Sequence, residues 1–426
     1  MGKGKRVVFL AAVLSIAPTI FAQEATSAPA PAAPAAPPQK PLMWALDQMG
    51  IGKPLEDANI NIYGYVEGSY EYNFNTPPGP TYPKAARHFN AGRVFDTQSD
   101  NLFLNQADLT FERTVDYTKD KWDVGARVEF IYGQDARFIH ANGLDFYGPN
   151  DAADGGEQVF PENQFDLAQA YVDIAVPVGT GLRLRVGKFY TLLGYESINP
   201  TSNPLFSHSY LFGYAIPFTQ TGILGTYNFT DSLTVNAGIT RGWEQALKDN
   251  NGDAIDFLGN VAWTVNKQLT VTLGNSTGPE RAGDVNDYRS VWDLVVNYAA
   301  NDTWTFGYNA DLGYEQGGAN AAISTVPHDH AWWYGMAGYA GYKINDYFTV
   351  NTRLEWFNDQ DNSRGLGTNV YEGTLGVTCT PFPSSDIGQN LKIRPEIRYD
   401  YAQAPIFSAG TNNNQCTVAI EAYFTY

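Results

Sequence analysis

The stretch that decides the fold is TWTFGYNADLGYE, residues 303–315. From Trp304 to Tyr314 every second residue is apolar or aromatic, and the residues between them are polar or glycine. A β-strand sends alternate side chains to opposite faces, so the stretch predicts a strand with one aromatic face and one polar face. In a soluble sandwich the aromatic face packs on a second sheet, whereas in a membrane barrel it contacts lipid and the polar face lines a wet interior. The rest of the chain decides between these two architectures.

The N-terminus, MGKGKRVVFLAAVLSIAPTIFA, has the pattern of a secretory signal peptide. Basic residues precede an apolar run, Pro18 ends that run, and Ala22 is a small residue suited to cleavage. The apolar run, 7–16, is too short to cross a bilayer as a helix, which disfavours the alternative of a retained membrane anchor. We therefore predict a signal peptide over residues 1–22 and export from the cytoplasm. The net charge of −18 argues against nucleic acid as a partner, because phosphate neutralisation requires clustered Lys and Arg.

Residues 23–57 form a second region before the strands begin. The tract QEATSAPAPAAPAAPPQKP (23–41) is rich in Ala and Pro and predicts a flexible, extended linker. The following LMWALDQMG (42–50) has apolar residues at helical spacing and predicts a short amphipathic helix. Two interpretations of this helix stay open: it has a docking or plugging role, or it rests on the barrel rim or in the periplasm.

From residue 58 to residue 426 the sequence predicts a transmembrane antiparallel up-and-down β-barrel of about 16 strands. Segments with period-two alternation are separated by gaps whose lengths alternate between short and long. Short turns at one rim and long loops at the other are typical of outer-membrane barrels, and a soluble sandwich has no reason to alternate in this way. The predicted strands are 59–73, 101–115, 121–132, 165–176, 182–190, 217–229, 233–244, 255–265, 268–276, 289–300, 303–315, 331–344, 347–357, 370–379, 391–401 and 416–426.

The chain ends in VAIEAYFTY (418–426), a strand with one apolar face and a terminal aromatic residue. Terminal aromatic strands are typically recognised by the outer-membrane assembly machinery, so we predict that machinery and outer-membrane lipid as partners. The alternative, a soluble edge strand, is disfavoured because an exposed apolar edge promotes aggregation. The predicted location is therefore the bacterial outer membrane.

Several stretches of the sequence resemble, in order, the beta-barrel porin-2 family of bacterial outer-membrane proteins. The resemblance covers most of residues 42–426, and its most specific part runs from Arg185 to Gly222. It implies a barrel with a porin-like role and assigns no functional residue. The matching stretches are INIYGYVEGSYEYNFN, QADLTFERTVD, AQAYVDI, LRLRVGKFYTLLGYESINP and NPLFSHSYLFGYAIPFTQTG.

Charged residues on the predicted inner faces fit a water-filled interior. About 16 strands leave an aqueous channel, and burying this many charges in a dry core would cost on the order of several kcal/mol each. These charges either support the barrel as a salt-bridged wall or act as an ion filter, and both interpretations stay open. The predicted pore-lining residues are Arg127, Glu129, Arg183, Arg185, Asp293, Asp311, Arg353, Arg394, Glu396 and Arg398.

The connection 191–216 is long, aromatic and nearly uncharged. A connection with this many large apolar side chains is expected to bury them, either by folding into the lumen as a constriction loop or by forming an outward cap. The sequence does not choose between these two arrangements.

The sequence offers no catalytic or metal site. The 5 histidines all fall in predicted outer loops, none beside a serine and an acid, and a GxSxG motif is absent. The pair His328 and His330 has a spacing more typical of solvated loop residues than of metal ligands. We therefore predict a protein that is not an enzyme and that has no catalytic residues, metal or cofactor.

The predicted function is that of an outer-membrane porin, in which a water-filled channel allows passive diffusion of small hydrophilic solutes. The alternative is a closed structural or adhesive surface barrel whose long outer loops bind partners. A homotrimer is expected only by analogy with other 16-stranded porins.

Overall fold

The computed structural model describes most of the chain from residue 40 onward. The predicted signal peptide and the linker up to residue 39 lie outside the described residues. No helix in the described part of the chain is both long and apolar enough to cross a membrane. The described residues are 40–75, 89–118, 120–144, 163–247, 254–281, 284–317 and 330–426.

Sixteen antiparallel strands form one closed barrel, in which each strand pairs with its neighbours in sequence and β1 pairs with β16. The predicted up-and-down barrel is confirmed, and no predicted strand boundary differs from the observed one by more than two residues. Closure gives every strand two hydrogen-bonded neighbours and leaves no exposed edge. The strands are β1 (Ile60–Asn73), β2 (Leu102–Arg113), β3 (Asp123–Gly133), β4 (Gln164–Val176), β5 (Leu182–Tyr190), β6 (Thr219–Thr230), β7 (Leu233–Trp243), β8 (Asp256–Thr264), β9 (Leu269–Gly278), β10 (Arg289–Ala299), β11 (Trp304–Gln316), β12 (His330–Lys343), β13 (Phe348–Asn358), β14 (Asn369–Cys379), β15 (Leu391–Ala402) and β16 (Asn414–Thr425).

The two rims of the barrel differ in the length of their connections. At the rim that holds both ends of the barrel, the shortest connection is 231–232 and the longest is 380–390. At the opposite rim the connections are mostly much longer: 279–288 is among the shortest, and 134–163 is the longest. We call these the short-turn rim and the long-loop rim.

The two faces of β11 have the polarity that the alternation in its sequence predicts. Trp304 and Phe306 point outward and are each 41% exposed, whereas Asp311 points inward and is 4% exposed. The outer surface of this strand is therefore aromatic and the inner surface polar, which is the arrangement of a barrel in lipid.

Two short helices, α1 (Pro41–Gln48) and α2 (Gly52–Asp57), precede β1 at the short-turn rim, and α1 agrees with the helix predicted over 42–50. Met43 is buried, and its Sδ accepts a hydrogen bond from the Ile62 backbone N–H at 3.3 Å. The Lys40 ammonium lies 3.1 Å from the centre of the Tyr63 ring on β1. The helices therefore rest on the barrel, with Lys40 reaching its inner face.

Candidate functional site

The connection between β5 and β6, residues 191–218, folds into the barrel, and we call it the luminal loop. Glu196 is its only carboxylate, and it contains no Lys or Arg. Apolar side chains that would otherwise be exposed to water drive it inward. Of the two arrangements predicted for 191–216, the inward one is observed. Its buried side chains include Leu193, Ile198, Leu205, Phe206, Tyr210, Leu211, Phe212 and Ile216.

The luminal loop crosses the full diameter of the barrel. Early in the loop, the Gly194 backbone N–H donates to Asp293 on β10 at 3.0 Å. Glu196 then forms an ion pair with Arg353 on β13, with an N–O distance of 2.7 Å. Because β13 lies eight strands from β5 in a barrel of sixteen, these bonds attach the loop to the wall opposite its own strands.

Carboxylates of that wall accept hydrogen bonds from the backbone of the loop. Glu355 on β13 accepts from the N–H groups of Tyr210 and Leu211, both at 2.7 Å. Glu396 on β15 accepts from the Phe206 N–H at 2.9 Å. A buried irregular segment needs partners for its backbone groups, and the wall supplies them.

Arginines of the same wall bind the carbonyl oxygens of the loop. Arg353 donates to the Ser207 carbonyl at 2.6 Å, and Arg398 donates to the His208 carbonyl at 2.5 Å. Arg394 donates to the Pro200 carbonyl at 3.1 Å and also to that of Asn203. The wall therefore holds the loop through both its donors and its acceptors.

The same three arginines are paired with wall carboxylates. Arg353 is 0% exposed and lies 2.6 Å from Glu372. Arg394 pairs with Glu421, and Arg398 lies 2.8 Å from Asp400. The sequence predicted that these arginines line a wall exposed to water, and the structure differs. The luminal loop covers them, and ion pairs compensate their burial.

Arg127 and Glu129 lie on the inner face of β3, away from these loop anchors. Arg127 Nε donates to Glu129 at 2.9 Å, and Tyr190 donates its hydroxyl hydrogen to Glu129 at 2.5 Å. Glu129 is buried, whereas Arg127 is partly exposed. Only one member of this pair is thus accessible from the lumen.

On β5 the structure places Arg183 and Arg185 on the inner face as well. Arg185 forms two hydrogen bonds of 2.9 Å with Asp173 and lies 3.7 Å from the centre of the Tyr171 ring. Arg183 donates to the Thr226 hydroxyl at 3.0 Å. Both arginines are partly exposed.

Asp293 and Asp311 are cross-strand neighbours on β10 and β11. Asp293 accepts hydrogen bonds from Asn309 at 2.6 Å and from Gly194. The Asp311 carboxyl is buried and lies beside that of Asp293. All ten predicted residues thus lie on the inner face, and their role in lining an open channel stays a prediction.

Sequence reasoning missed several residues that hold the site together. Glu372 and Glu421 occupy inward positions of β14 and β16, so the period-two pattern could have found them. Glu196 and Arg93 lie in connections without periodicity, where no local signal marks them. Arg93 is buried and binds Asp400 at 2.6 Å.

Aromatic rings from the long-loop rim cover the luminal loop. The Phe95 ring, from the connection between β1 and β2, lies 4.8 Å from His208 and 5.6 Å from Phe212.

Burial lowers the pKa of His208 in the luminal loop, so its imidazole is neutral near pH 7. For Glu196, burial raises the pKa, but the Arg353 guanidinium and the hydrogen bond from the Ser209 backbone N–H lower it by more, so the carboxyl stays ionised.

A cavity of about 250 Å³ remains on the short-turn side of the luminal loop. Burial lowers the pKa of Lys40 at its edge. Within the described ranges no cluster of side chains is suited to hold a metal ion. The cavity is lined by Lys40, Tyr63, Gly64, Tyr65, Asp108, Thr110, Arg127, Asn199, Thr201, Asn390 and Thr425.

A closed sixteen-strand barrel with a long connection folded into its lumen defines a protein of the porin class. A family model described as "Putative beta-barrel porin-2, OmpL-like" matches residues 59–426. The chain belongs to that family, which confirms the resemblance found in the sequence.

Solved structures with the same fold are outer-membrane channels and proteins. The chain is similar to the anion-selective porin from Comamonas acidovorans, with a TM-score of 0.57, 12% identity, and coverage of 86% of this chain and 99% of that chain. It is also similar to the outer membrane channel DcaP of Acinetobacter baumannii (TM-score 0.51, 11% identity, 86% and 97% coverage). The same holds for a loop L8 deletion mutant of OmpT, an outer membrane protein of Vibrio cholerae (TM-score 0.50, 13% identity, 86% and 99% coverage). At these identities the likeness shows the fold alone. A comparison with curated protein sequences found no match.

Proposed function

We propose that the protein is an outer-membrane porin through which small hydrophilic solutes diffuse passively. One observation carries the proposal beyond the general porin role of the family. The luminal loop is anchored mainly to the wall formed by β10–β15, and inner side chains on β3–β8 stay partly exposed. These side chains include Arg127, Arg183, Arg185, Asn236 and Asn260.

The partly exposed wall is lined with groups that bind water. Thr226 donates to Asn236 at 2.5 Å, and Asn236 donates to Asn260 at 2.7 Å. Together with Arg183, which donates to Thr226, they form a continuous polar line across β5–β8. Asn260 also donates to the Leu192 carbonyl of the luminal loop at 3.4 Å, so the line meets the loop at that end. A passage along the rest of the line favours hydrophilic solutes, because apolar solutes cannot form hydrogen bonds with its side chains.

The cavity on the short-turn side extends this passage. Arg127 belongs both to the partly exposed wall and to the lining of the cavity, and Asn199 and Thr201 contribute the surface of the luminal loop. We propose that the cavity is the inner vestibule of the channel and that Arg127, Arg183 and Arg185 act along this path, whereas the other predicted pore-lining residues are buried.

The remaining assignments follow from the family and the predicted topology. The family implies the outer membrane, with lipid around the outward aromatic face and the short-turn rim in the periplasm. Recognition of β16 by the assembly machinery, a homotrimer, and the absence of catalysis stay predictions. So does the division into 1–22, 23–57 and 58–426.

A closed structural or adhesive barrel is the second candidate, and the dense anchoring of the luminal loop favours it. The exposed line on β5–β8 favours the porin. Conductance separates them: a porin gives an ohmic current in planar bilayers, whereas a closed barrel gives none at any salt concentration, and that silence would refute the porin proposal.

A charge reversal in the proposed path sharpens the test. Arg183→Glu should shift the reversal potential in a KCl gradient toward cation preference, because the side chain lies on the exposed line. Lys343→Glu is the matched control, since it makes the same change of charge at the end of β12 on the short-turn rim. Equal shifts in both variants would place the path elsewhere.

A further inference from the structure

Arg364 occupies a rigid turn in the connection between β13 and β14. The Asp359 carboxylate accepts hydrogen bonds from the backbone N–H groups of Arg364 and Leu366, at 2.9 and 2.8 Å. The Arg364 side chain turns inward, and its Nε donates to the Tyr214 carbonyl of the luminal loop at 2.6 Å. The guanidinium is thus fixed at the long-loop end of the lumen.

This guanidinium lacks an anionic partner. Among the described residues, Arg364 forms no ion pair, and the bond to Tyr214 is its one side-chain hydrogen bond. Arg364 is partly exposed, and its two terminal nitrogens have no hydrogen-bond partner among the described residues. Burial and the nearby Arg289 lower the pKa of Arg364 to about 10.

Arg289 is a second cation that lies near the same tryptophan ring as Arg364. The guanidinium carbons of Arg289 and Arg364 lie 4.8 and 5.1 Å from the centre of the Trp243 ring, and Arg364 also lies 5.2 Å from Trp333. Arg289 binds Glu315 through Nη2 at 2.8 Å, and its buried Nε has no hydrogen-bond partner within the described ranges. Both guanidinium groups beside the Trp243 ring therefore have N–H groups without a hydrogen-bond partner among the described residues.

The nearby carboxylates are engaged by other groups. Glu315 accepts from Ser363 at 3.1 Å as well as from Arg289. Glu244 accepts from the Phe218 N–H, and burial raises its pKa to about 7. Glu280 accepts from the Trp243 N–H at 2.8 Å, and burial raises its pKa well above its usual value. Asp359 also lies near Arg364 but is held by the backbone N–H groups of Arg364, Leu366 and Gly367, so no carboxylate of the described residues forms a direct ion pair with the Arg364 guanidinium.

We propose that Arg289 and Arg364 form a binding site for a compact oxyanion, a carboxylate or a phosphate, packed against Trp243. The planar guanidinium group offers paired donors that match both kinds of anion. Arg289 begins β10 at the long-loop rim, and the side chains of both arginines are partly exposed, so the site lies on the long-loop side of the luminal loop. The site goes beyond the proposed function, because it needs no open channel.

Calorimetric titration of the folded, detergent-solubilised protein tests the proposal. Sodium phosphate and sodium acetate are titrated separately at constant ionic strength, with sodium chloride as the reference. Saturable binding of either oxyanion is expected, and the stronger one identifies the class. Arg364→Gln should weaken binding at least about tenfold, because it removes one of two charged partners. Arg113→Gln, at the short-turn rim, should leave binding unchanged.

A purely structural role for Arg364 has a different signature. For a binding site, the oxyanion raises the thermal unfolding midpoint of the wild type and not that of Arg364→Gln. The proposal is overturned if neither oxyanion binds, or if Arg364→Gln binds like the wild type. A barrel that binds an oxyanion without conducting would refute the porin proposal and leave this site intact.

Discussion

Replacing Arg353 with methionine should release the luminal loop from the barrel wall. Arg353 is fully buried between the loop carboxylate of Glu196 and the wall carboxylate of Glu372, at 2.7 and 2.6 Å, and it also binds the Ser207 carbonyl. Methionine fills much of the same space without the charge. Removing one partner of a buried ion pair costs about 3–5 kcal/mol, since the remaining charge stays uncompensated.

Most of this free-energy cost destabilises the state in which the luminal loop is docked on the wall. Glu372 belongs to β14 and keeps its place whether or not the loop is docked, whereas Glu196 reaches water when the loop leaves. Since about 1.4 kcal/mol corresponds to a factor of ten, the ratio of docked to undocked loop should fall roughly a hundred- to several-thousand-fold.

Hydrogen exchange of the loop amides measures this ratio. The Tyr210 and Leu211 amides, held by Glu355 in the wild type, should exchange much faster in Arg353→Met, and single-channel recordings should show larger and noisier currents. Arg185→Met is the control, because its partner Asp173 lies on the wall and not on the loop.

A second variant isolates the charge from the packing. Adding Glu196→Gln to Arg353→Met removes the uncompensated carboxylate of the loop and should restore much of the protection. If the loop amides of Arg353→Met exchange as slowly as those of the wild type, the ion pair does not hold the loop and the reasoning is wrong.

Other predictions concern lipid contact, pH and the cysteines. Leu354→Arg, on the outer face of β13 and 68% exposed, should destabilise the barrel by about 2–4 kcal/mol in lipid. Leu247→Arg, 76% exposed in a connection, should have little effect, and equal effects would argue against lipid contact at β13. Burial raises the pKa of Glu244 to about 7 from a usual value of 4.5, so the folded state retains a proton that the unfolded state releases. The free energy of unfolding should therefore fall by up to about 3 kcal/mol as the pH rises through this window. Glu244→Gln should flatten that dependence in urea titrations followed by tryptophan fluorescence. Cys379 and Cys416 lie at opposite rims, so non-reducing peptide mapping should find no disulfide between them, and a linked peptide would contradict the order of the last strands.

The strands were predictable because their signal is local. In β11 the alternation of Trp304, Phe306 and Tyr308 with polar residues assigns both faces within one segment, and lipid outside requires that pattern to persist along the strand. The same rule placed Arg394 and Arg398 on the inner face.

The surroundings of those arginines were not predictable from the strands. Arg394 and Arg398 are buried because the luminal loop covers them, and the composition of the loop allowed an outward cap equally well. Its anchors lie far along the chain, as with Phe206 and Glu396, which are 190 residues apart. No local sequence pattern encodes such a contact. The same holds for Arg93, whose partner Asp400 is 307 residues away.

The attachment of the luminal loop also sets an order of assembly. The loop lies between β5 and β6, but the groups that seat it come from β10 to β15, which are synthesised later. Contacts between residues so far apart in sequence form late, because closing the intervening segment costs chain entropy before the contacts stabilise the fold. Until then its leucines and phenylalanines stay accessible to chaperones and proteases. A barrel that stalls before β15 therefore displays this segment, and protection of residues 191–218 from proteolysis reports that the last strands have taken their places.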